Sequence, residues 1–258
     1  MSEKITGPSP PFFELPGRFA GVRVVGDVHG DAGAFSAAIA GAREQNLFVI
    51  QIGDLVDRGA DSPACLRLAF DLLAAGDGLF ILGNHEEKLR RALAPQNNVE
   101  LGDDLARTLA AIAAAPQAQL FREEVLAALD AAPLWLRLGR HFIVHGGFDP
   151  AMLDYAGPQA MPSRRFAKEV ANRALRGEPQ RQLKGQPAPL DAEGYPIRLY
   201  NWVDQVPDGL TVIIGHDSFS TTEIVERRGA LGGRVLFCDT GCGKGGKLSW
   251  IDVPRREL

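Results

Sequence analysis

Three short apolar runs, at residues 22–25, 47–52 and 79–82, alternate with two segments of helical period, at 34–44 and 63–75. Runs of this length bounded by glycine read as strands, and the segments between them as helices, so the N-terminal third predicts a βαβαβ unit. A unit of that kind requires a parallel or mixed sheet with helices on its faces, and hence an α/β fold. Further apolar runs at 142–145, 210–214, 235–238 and 248–251 predict a second set of strands. Between the two sets lies an Ala/Leu-rich stretch, 86–129, which reads as two or three helices broken at APQNN (94–98) and at Pro116. The Pro-, Arg- and Gln-rich stretch from Phe148 to about Ile197 reads as an insertion over one face, too polar to be core.

Composition narrows the class. With 258 residues and 45% hydrophobic content, the chain can bury a substantial core. A net charge of -4 offers no global basic field, so a stable nucleic-acid complex is not expected. The N-terminal segment lacks a basic region followed by an apolar one, and Pro8, Pro10 and Pro11 would interrupt it. No run approaches the roughly eighteen apolar residues of a membrane span, and the expectation is a cytoplasmic protein. Three cysteines, Cys65, Cys238 and Cys242, form no disulfide framework and fit a reducing compartment. CDTGC (238–242) has no second Cys/His pair to complete a zinc site, and reads as packing and turn.

Five of the predicted strands end alike: GDVHG (26–30), GDLVDRG (53–59), GNHE (83–86), HGG (145–147) and GHD (215–217). Each sets glycine beside Asp, Asn or His at the strand's carboxyl end, where open α/β sheets bind ligands. Four of the five histidines are gathered there. Carboxylate, neutral imidazole and amide oxygen make a mixed ligand set that suits Mn, Fe, Zn or Co better than Mg or Ca. Asx-turns after strands would explain any one of these motifs, but not the series.

The ordered series GDVHG, GDLVDRG, GNHE, HGG and GH resembles the signature of the calcineurin-like metallophosphoesterases, specifically their phosphoprotein-phosphatase branch. The resemblance implies a metallophosphoesterase-type α/β sandwich of two mixed sheets flanked by helices, with a helical insertion at about 87–132 and a basic insertion at about 148–198 over the active-site face. It implies a Pro-rich leader (1–20) followed by a single domain (21–258). It further implies two divalent metal ions, Mn being expected, with Asp27 and His29 on the first, Asp54 bridging, and Asn84, His145 and His216 on the second. In the family the histidine of GNHE, here His85, is the general acid; Asp57 orients it and Arg58 clamps the phosphate. Asn84 and His85 would also meet the substrate.

The reaction asks for these residue types. Two metals generate a hydroxide at neutral pH and neutralise both oxygens of an in-line displacement of a phosphomonoester. A guanidinium pairs two phosphate oxygens at once, and a histidine held by a carboxylate can protonate a leaving alkoxide near neutral pH. Arg164, Arg165 and Arg198 are all candidates for a second phosphate clamp. Glu86 reads equally as a helix cap or a site residue, and Asp217 as facing either metals or solvent. His141 reads as a surface or satisfied core residue, and GKGGK (243–247) as a hairpin turn, because no helix follows it.

The C-terminal segments LYNWVDQV (199–206) and CDTGCGKGGKLSWIDVP (238–254) resemble the phosphatase module of bacterial polynucleotide kinase-phosphatases. Three substrate classes follow, in this order: a phosphoprotein, as for a serine/threonine phosphatase; a nucleic-acid end or 2′,3′-cyclic nucleotide; a dinucleoside tetraphosphate. A non-enzymatic metal-binding scaffold would lack one of Asp54, Asn84 or His85, and all are present. The basic residues of 164–184, among them Arg173 and Arg176, read equally as a solvated helix face or as a polyanion-binding stripe.

Overall fold

The computed structural model describes residues 12–94, 99–180, 189–190 and 196–258. Pro8, Pro10 and Pro11, most of the APQNN break, and Arg181 and Lys184 lie outside the described residues.

The N-terminal half runs β1 (Gly21–Val25), α1 (Ala32–Glu44), β2 (Leu47–Gln51), α2 (Ser62–Ala75), β3 (Gly78–Phe80), α3 (Asn84–Leu93), α4 (Asp103–Ala114) and α5 (Ala118–Ala131). There follow β4 (Trp135–Leu138), β5 (His141–Val144), α6 (Arg164–Arg176), β6 (Glu178–Pro179), β7 (Arg198–Leu199), β8 (Thr211–Ile214), β9 (Val225–Arg228), β10 (Arg234–Phe237) and β11 (Trp250–Pro254). Two mixed sheets result, ordered β11-β1-β2-β3 and β4-β5-β8-β10-β9, with β6 and β7 as a small separate pair. Within them β1-β2-β3 and β5-β8-β10 are parallel, while β11, β4 and β9 are antiparallel edges.

The sheets face each other across one apolar layer. Val22, Val24, Ile50 and Ile52 meet Leu136, Leu138, Ile143 and Ile213 there. Alternate residues of the same strands, such as Val25 and Val49, point outward under α1 and α2. Both faces of these strands are therefore buried, which is why they read as unbroken apolar runs. Helices α1 and α2 start where Asp31 and Asp61 accept the backbone N–H of Ala34 and Ala64, so each strand-end loop is stitched to its helix.

Four expectations change. The Phe148–Ile197 stretch is partly core: Phe148, Met152, Met161, Val170 and Ala174 are buried beneath the second sheet. Its apolar residues are too widely spaced for the eye, but α6 gathers Val170 and Ala174 on one face at helical spacing. The GKGGK segment is not a hairpin, because β10 and β11 belong to different sheets. It is a crossover loop, turned by the N–H groups of Lys244 and Gly246 on the Gly241 carbonyl. Strand β3 stops at Phe80 and β11 starts only at Trp250. Finally, β4 and the polar edge β9 carry too little apolar pattern to be read from sequence.

Candidate active site

The five motifs meet at the carboxyl ends of β1, β2, β5 and β8 and at the start of α3. Asn84 and His85 follow the carboxyl end of β3, as the sequence suggested, and open α3, with Gly83 as its N-cap. Asp54 is the centre of the cluster. Its carboxylate lies 3.6 Å from His29 Nε2, 3.8 Å from His85 Nε2 and 3.3 Å from His145 Nε2. Two groups, His29–Asp54–His85 and Asp54–His145–His216, each hold their ligand atoms within 4.8 Å of one another. Asp27 stands beside them, with an oxygen 3.8 Å from His29 Nε2, and accepts the His216 backbone N–H. Asn84 joins through its Oδ1, 3.0 Å from His145 Nε2.

Backbone strain concentrates here. Of the seven non-glycine residues with positive φ among the described residues, five are His29, Asp54, Asp57, Arg58 and His216. Such conformations disfavour a side chain with a Cβ and persist only where the surroundings over-determine them. Gly53, at φ +94°, lets the loop pass close: an added Cβ would lie 2.6 Å from Gly83 Cα and 2.9 Å from His145 Nδ1. Glu86 supplies the clamp. Its buried carboxylate accepts the backbone N–H groups of Asp54, Leu55, Val56 and Gly83, tying the β2 loop to α3.

The imidazoles are oriented by their far nitrogens. His29 Nδ1 lies 3.0 Å from the Val56 carbonyl and His145 Nδ1 2.9 Å from that of Ile52. Each is thereby set as an Nδ1–H donor that turns Nε2 into the cluster. Burial, with His85 and Arg58 nearby, pushes His29 down to about 4 against the pull of Asp54. Burial and His145 hold His216 well below the usual imidazole range. Burial acts downward on His145 too, yet Asp54 and Asp27 push it up to about 10. Burial and Asp239 together raise Asp27 well above the carboxylate range.

His85 is held differently. Its Nδ1 lies 2.6 Å from Asp57 Oδ2, and the other Asp57 oxygen accepts the Thr108 hydroxyl at 2.6 Å. Ser62 Oγ lies 3.2 Å from Thr108 Oγ1 and accepts the Asp57 N–H. Burial works against the His85 charge, but Asp54 and Asp57 raise its pKa above the ordinary value.

Above the cluster is a cavity of about 520 Å³ lined by Arg58, Arg198 and Lys244 and by Ile197, Tyr200 and Phe219. Asp217 faces neither metals nor bulk solvent: it accepts Arg198 Nε at 2.8 Å and the Tyr200 hydroxyl at 3.0 Å. Arg198 Nη1 also donates to the Arg176 carbonyl at 2.5 Å. Arg164 and Arg165, by contrast, are exposed on α6, and Arg165 pairs with Glu169.

The chain matches the calcineurin-like phosphoesterase family over residues 21–230. It belongs to that family. Among its relatives is the asymmetrical bis(5′-nucleosyl)-tetraphosphatase PrpE of Geobacillus sp. (strain WCH70), 28% identical over 80% of this chain and 75% of the relative. The symmetrical bis(5′-nucleosyl)-tetraphosphatase of Methylococcus capsulatus is 28% identical over 82% of each chain. A protein serine/threonine phosphatase from Saccharomyces cerevisiae shares the fold at a TM-score of 0.55 and 14% identity, over 93% of this chain and 74% of that one.

This calcineurin-like phosphoesterase is therefore a hydrolase acting on phosphoester bonds, and its family uses a binuclear divalent metal site. The residues here fit such a site. Buried His29 Nε2, His216 Nε2 and Asp239 Oδ2 have no hydrogen-bond partner, and three buried carboxylates face imidazoles of which two are driven towards neutrality. Bound cations balance that set, since unpaired buried charge is otherwise costly.

Sequence reasoning missed Thr108, Asp239, Tyr200, Phe219 and Lys244. Thr108 sits in the alanine-rich helical stretch, where nothing local marks it. Asp239 is hidden in CDTGC between two cysteines, which are buried free thiols; Cys242 donates to the Val28 carbonyl. The crossover loop brings Asp239 and Lys244 to the site because Gly243, at φ +74°, packs so near His29 that an added Cβ would lie 2.5 Å from its Cβ. His141 is neither superficial nor satisfied: it is buried in β5 with Nδ1 unpartnered, and it belongs to neither ligand group. Arg173 and Arg176 are not free cations, since Arg173 pairs with Asp149 and Glu178 and Arg176 with Glu87.

Among the described residues no helix is long and apolar enough to cross a membrane.

Proposed function

We infer that this phosphoesterase hydrolyses the polyphosphate chain of dinucleoside polyphosphates, with bis(5′-nucleosyl) tetraphosphates as its reference substrates, and that residues 21–258 form one catalytic domain. The observation that carries the substrate reading is the convergence of Arg58, Arg198 and Lys244 on the cavity above the His/Asp cluster. A single phosphate on the cluster needs one clamp; cations arrayed beyond it suit a chain of phosphates. The names of the two bacterial relatives point the same way. This reading moves the dinucleoside polyphosphates ahead of the phosphoproteins favoured by sequence alone.

Asp27, His29, Asp54, Asn84, His145 and His216 are the residues that would hold the metal pair, Mn being our choice for a mixed oxygen and nitrogen set. Asp239, whose Oδ2 accepts no hydrogen bond and lies 3.7 Å from Lys244 Nζ, joins them. Bound there, the ions supply a water-derived nucleophile at neutral pH and neutralise phosphoryl charge. The chain's own residues do the rest. Arg58 and Arg198 bind phosphoryl oxygens, and Asp217 presents the Arg198 fork by holding its Nε. His85 keeps a proton on Nε2 for the leaving oxygen while Asp57 accepts from Nδ1 and Thr108 orients Asp57. Water adds to one phosphorus, the bond from that phosphorus to the next bridging oxygen breaks, and two nucleotides leave.

The test is turnover of Mn-supplemented protein on bis(5′-adenosyl) tetraphosphate, a phosphopeptide, a 2′,3′-cyclic nucleotide and an RNA 3′-phosphate. The tetraphosphate should lead in kcat/KM by about tenfold or more, a margin of about 1.4 kcal/mol. A phosphopeptide equal to or better than the tetraphosphate would return the site to the phosphoprotein class.

A further inference from the structure

Phe219 is 37% exposed on the wall of a site whose catalytic groups are otherwise polar, and Ile197, which lines the same cavity, is exposed to the same degree. Exposed aromatic area carries a hydration cost that a ligand's flat face removes. The ring is not loose. It packs edge-on with Tyr200 at 5.1 Å and with Phe237 at 4.6 Å between centroids, and the Arg227 guanidinium lies 4.2 Å from its centre. Tyr200 in turn donates its hydroxyl to Asp217, the residue that holds Arg198. One carboxylate thus fixes both a phosphate-binding guanidinium and an aromatic wall.

We propose that Ile197, Tyr200 and Phe219 form a nucleobase subsite, which takes the base of a nucleotide whose phosphates lie between Arg198, Lys244 and the cluster. The proposal rests on the reading of the cavity as a nucleotide site and deepens it. Charge complementarity selects the occupant: cations line the cavity near an uncharged wall, as a polyphosphate ending in a flat, uncharged ring requires. The aromatic pair is anchored to Asp217 rather than to an imidazole of the cluster. A pre-braced ring also loses little freedom on binding, so most of the contact appears as affinity.

The experiment measures equilibrium binding of AMP, ribose 5-phosphate and phosphotyrosine by calorimetry to the Mn-loaded full chain. AMP should bind about tenfold more tightly than ribose 5-phosphate, the size of one base–aromatic contact. In Phe219→Ala this ratio should fall to about twofold, and in Phe219→Trp, which keeps a flat ring, it should stay near tenfold. Thermal melts of both variants establish that each is folded, and the parent's own ratio keeps the test decisive if the Ala variant is not. Equal binding of AMP and ribose 5-phosphate to the parent, a ratio unmoved in Phe219→Ala, or tighter binding of phosphotyrosine than of AMP would each overturn the subsite. If the ratio depends on Phe219 while the tetraphosphate is a poor substrate, the subsite stands and the proposed substrate falls.

Discussion

The floor of the cavity and its wall are built on opposite terms. On the floor, Asp27, His29, Asp54 and His145 are all at most 2% exposed, and the backbone under His29, Asp54 and His216 is held in left-handed conformations. On the wall, Ile197 and Phe219 are over a third exposed, and Lys244 rises from a glycine-rich loop. Groups that perform chemistry must be positioned within fractions of an ångström, and burial with strain achieves that. Groups that choose among substrates need only present a surface. Substitutions on the floor should therefore abolish turnover, while those on the wall should redistribute it.

The largest effect is expected for Asp54→Asn, which removes the charge shared by both candidate metal groups. We expect kcat to drop by at least about 10³-fold, with metal content reduced in elemental analysis. The fold should survive, because the Asp54 backbone is held by Glu86 rather than by its own carboxylate. Full activity after chelation would break the floor-and-wall distinction at its root.

His85→Asn comes next. Loss of a general acid should lower turnover of alkyl phosphates by about 10²- to 10⁴-fold, and of p-nitrophenyl phosphate far less, because nitrophenolate leaves without a proton. Equal losses on both would assign His85 to charge stabilisation instead.

Thr108→Val sharpens the boundary, since this residue touches no substrate. It deprives the buried Asp57 oxygen of a donor at 2.6 Å, at a cost of about 1–3 kcal/mol in stability. Its loss in turnover should carry the same leaving-group signature as His85→Asn at about a tenth of the size, a factor of about 1.4 kcal/mol, with Thr108→Ser restoring the parent behaviour. A loss indifferent to the leaving group would make Thr108 a packing residue only.

Asp217→Asn probes the wall. With the Arg198 fork and the Tyr200 hydroxyl less firmly held, KM for the tetraphosphate should rise about tenfold, the loss of one charge-assisted hydrogen bond, while kcat changes little.

The smallest effect belongs to α6. Arg173→Glu breaks pairs with Asp149 and Glu178 at 3.4 Å, whose groups are about a quarter exposed, and partly exposed pairs of this kind are worth about 0.2–1 kcal/mol. A slightly lower Tm with unchanged salt dependence of KM is expected. A flattened salt dependence would restore the polyanion-binding stripe.

Which features were legible follows the same division. GDVHG, GDLVDRG and GNHE are contiguous in the chain, so the residues of each motif are placed by one strand or one helix start, and the sequence displays them together. The layered α/β fold was legible for a related reason, because strands buried on both faces must be continuously apolar. The polar edge β9 and the short β4 were not, because packing against neighbouring strands rather than their own pattern makes them strands.

By itself, then, the sequence determined which strand-end motifs supply the floor, since local backbone geometry and hydrophobic periodicity are encoded within a few residues of each position. Only the tertiary structure decided that Thr108 reaches Asp57 from 51 residues away, that Asp217 serves Arg198 and Tyr200, and that a crossover between two sheets delivers Asp239 and Lys244 to the site. Those pairings depend on how distant elements pack, and packing is a property of the whole layer arrangement, which no local pattern records.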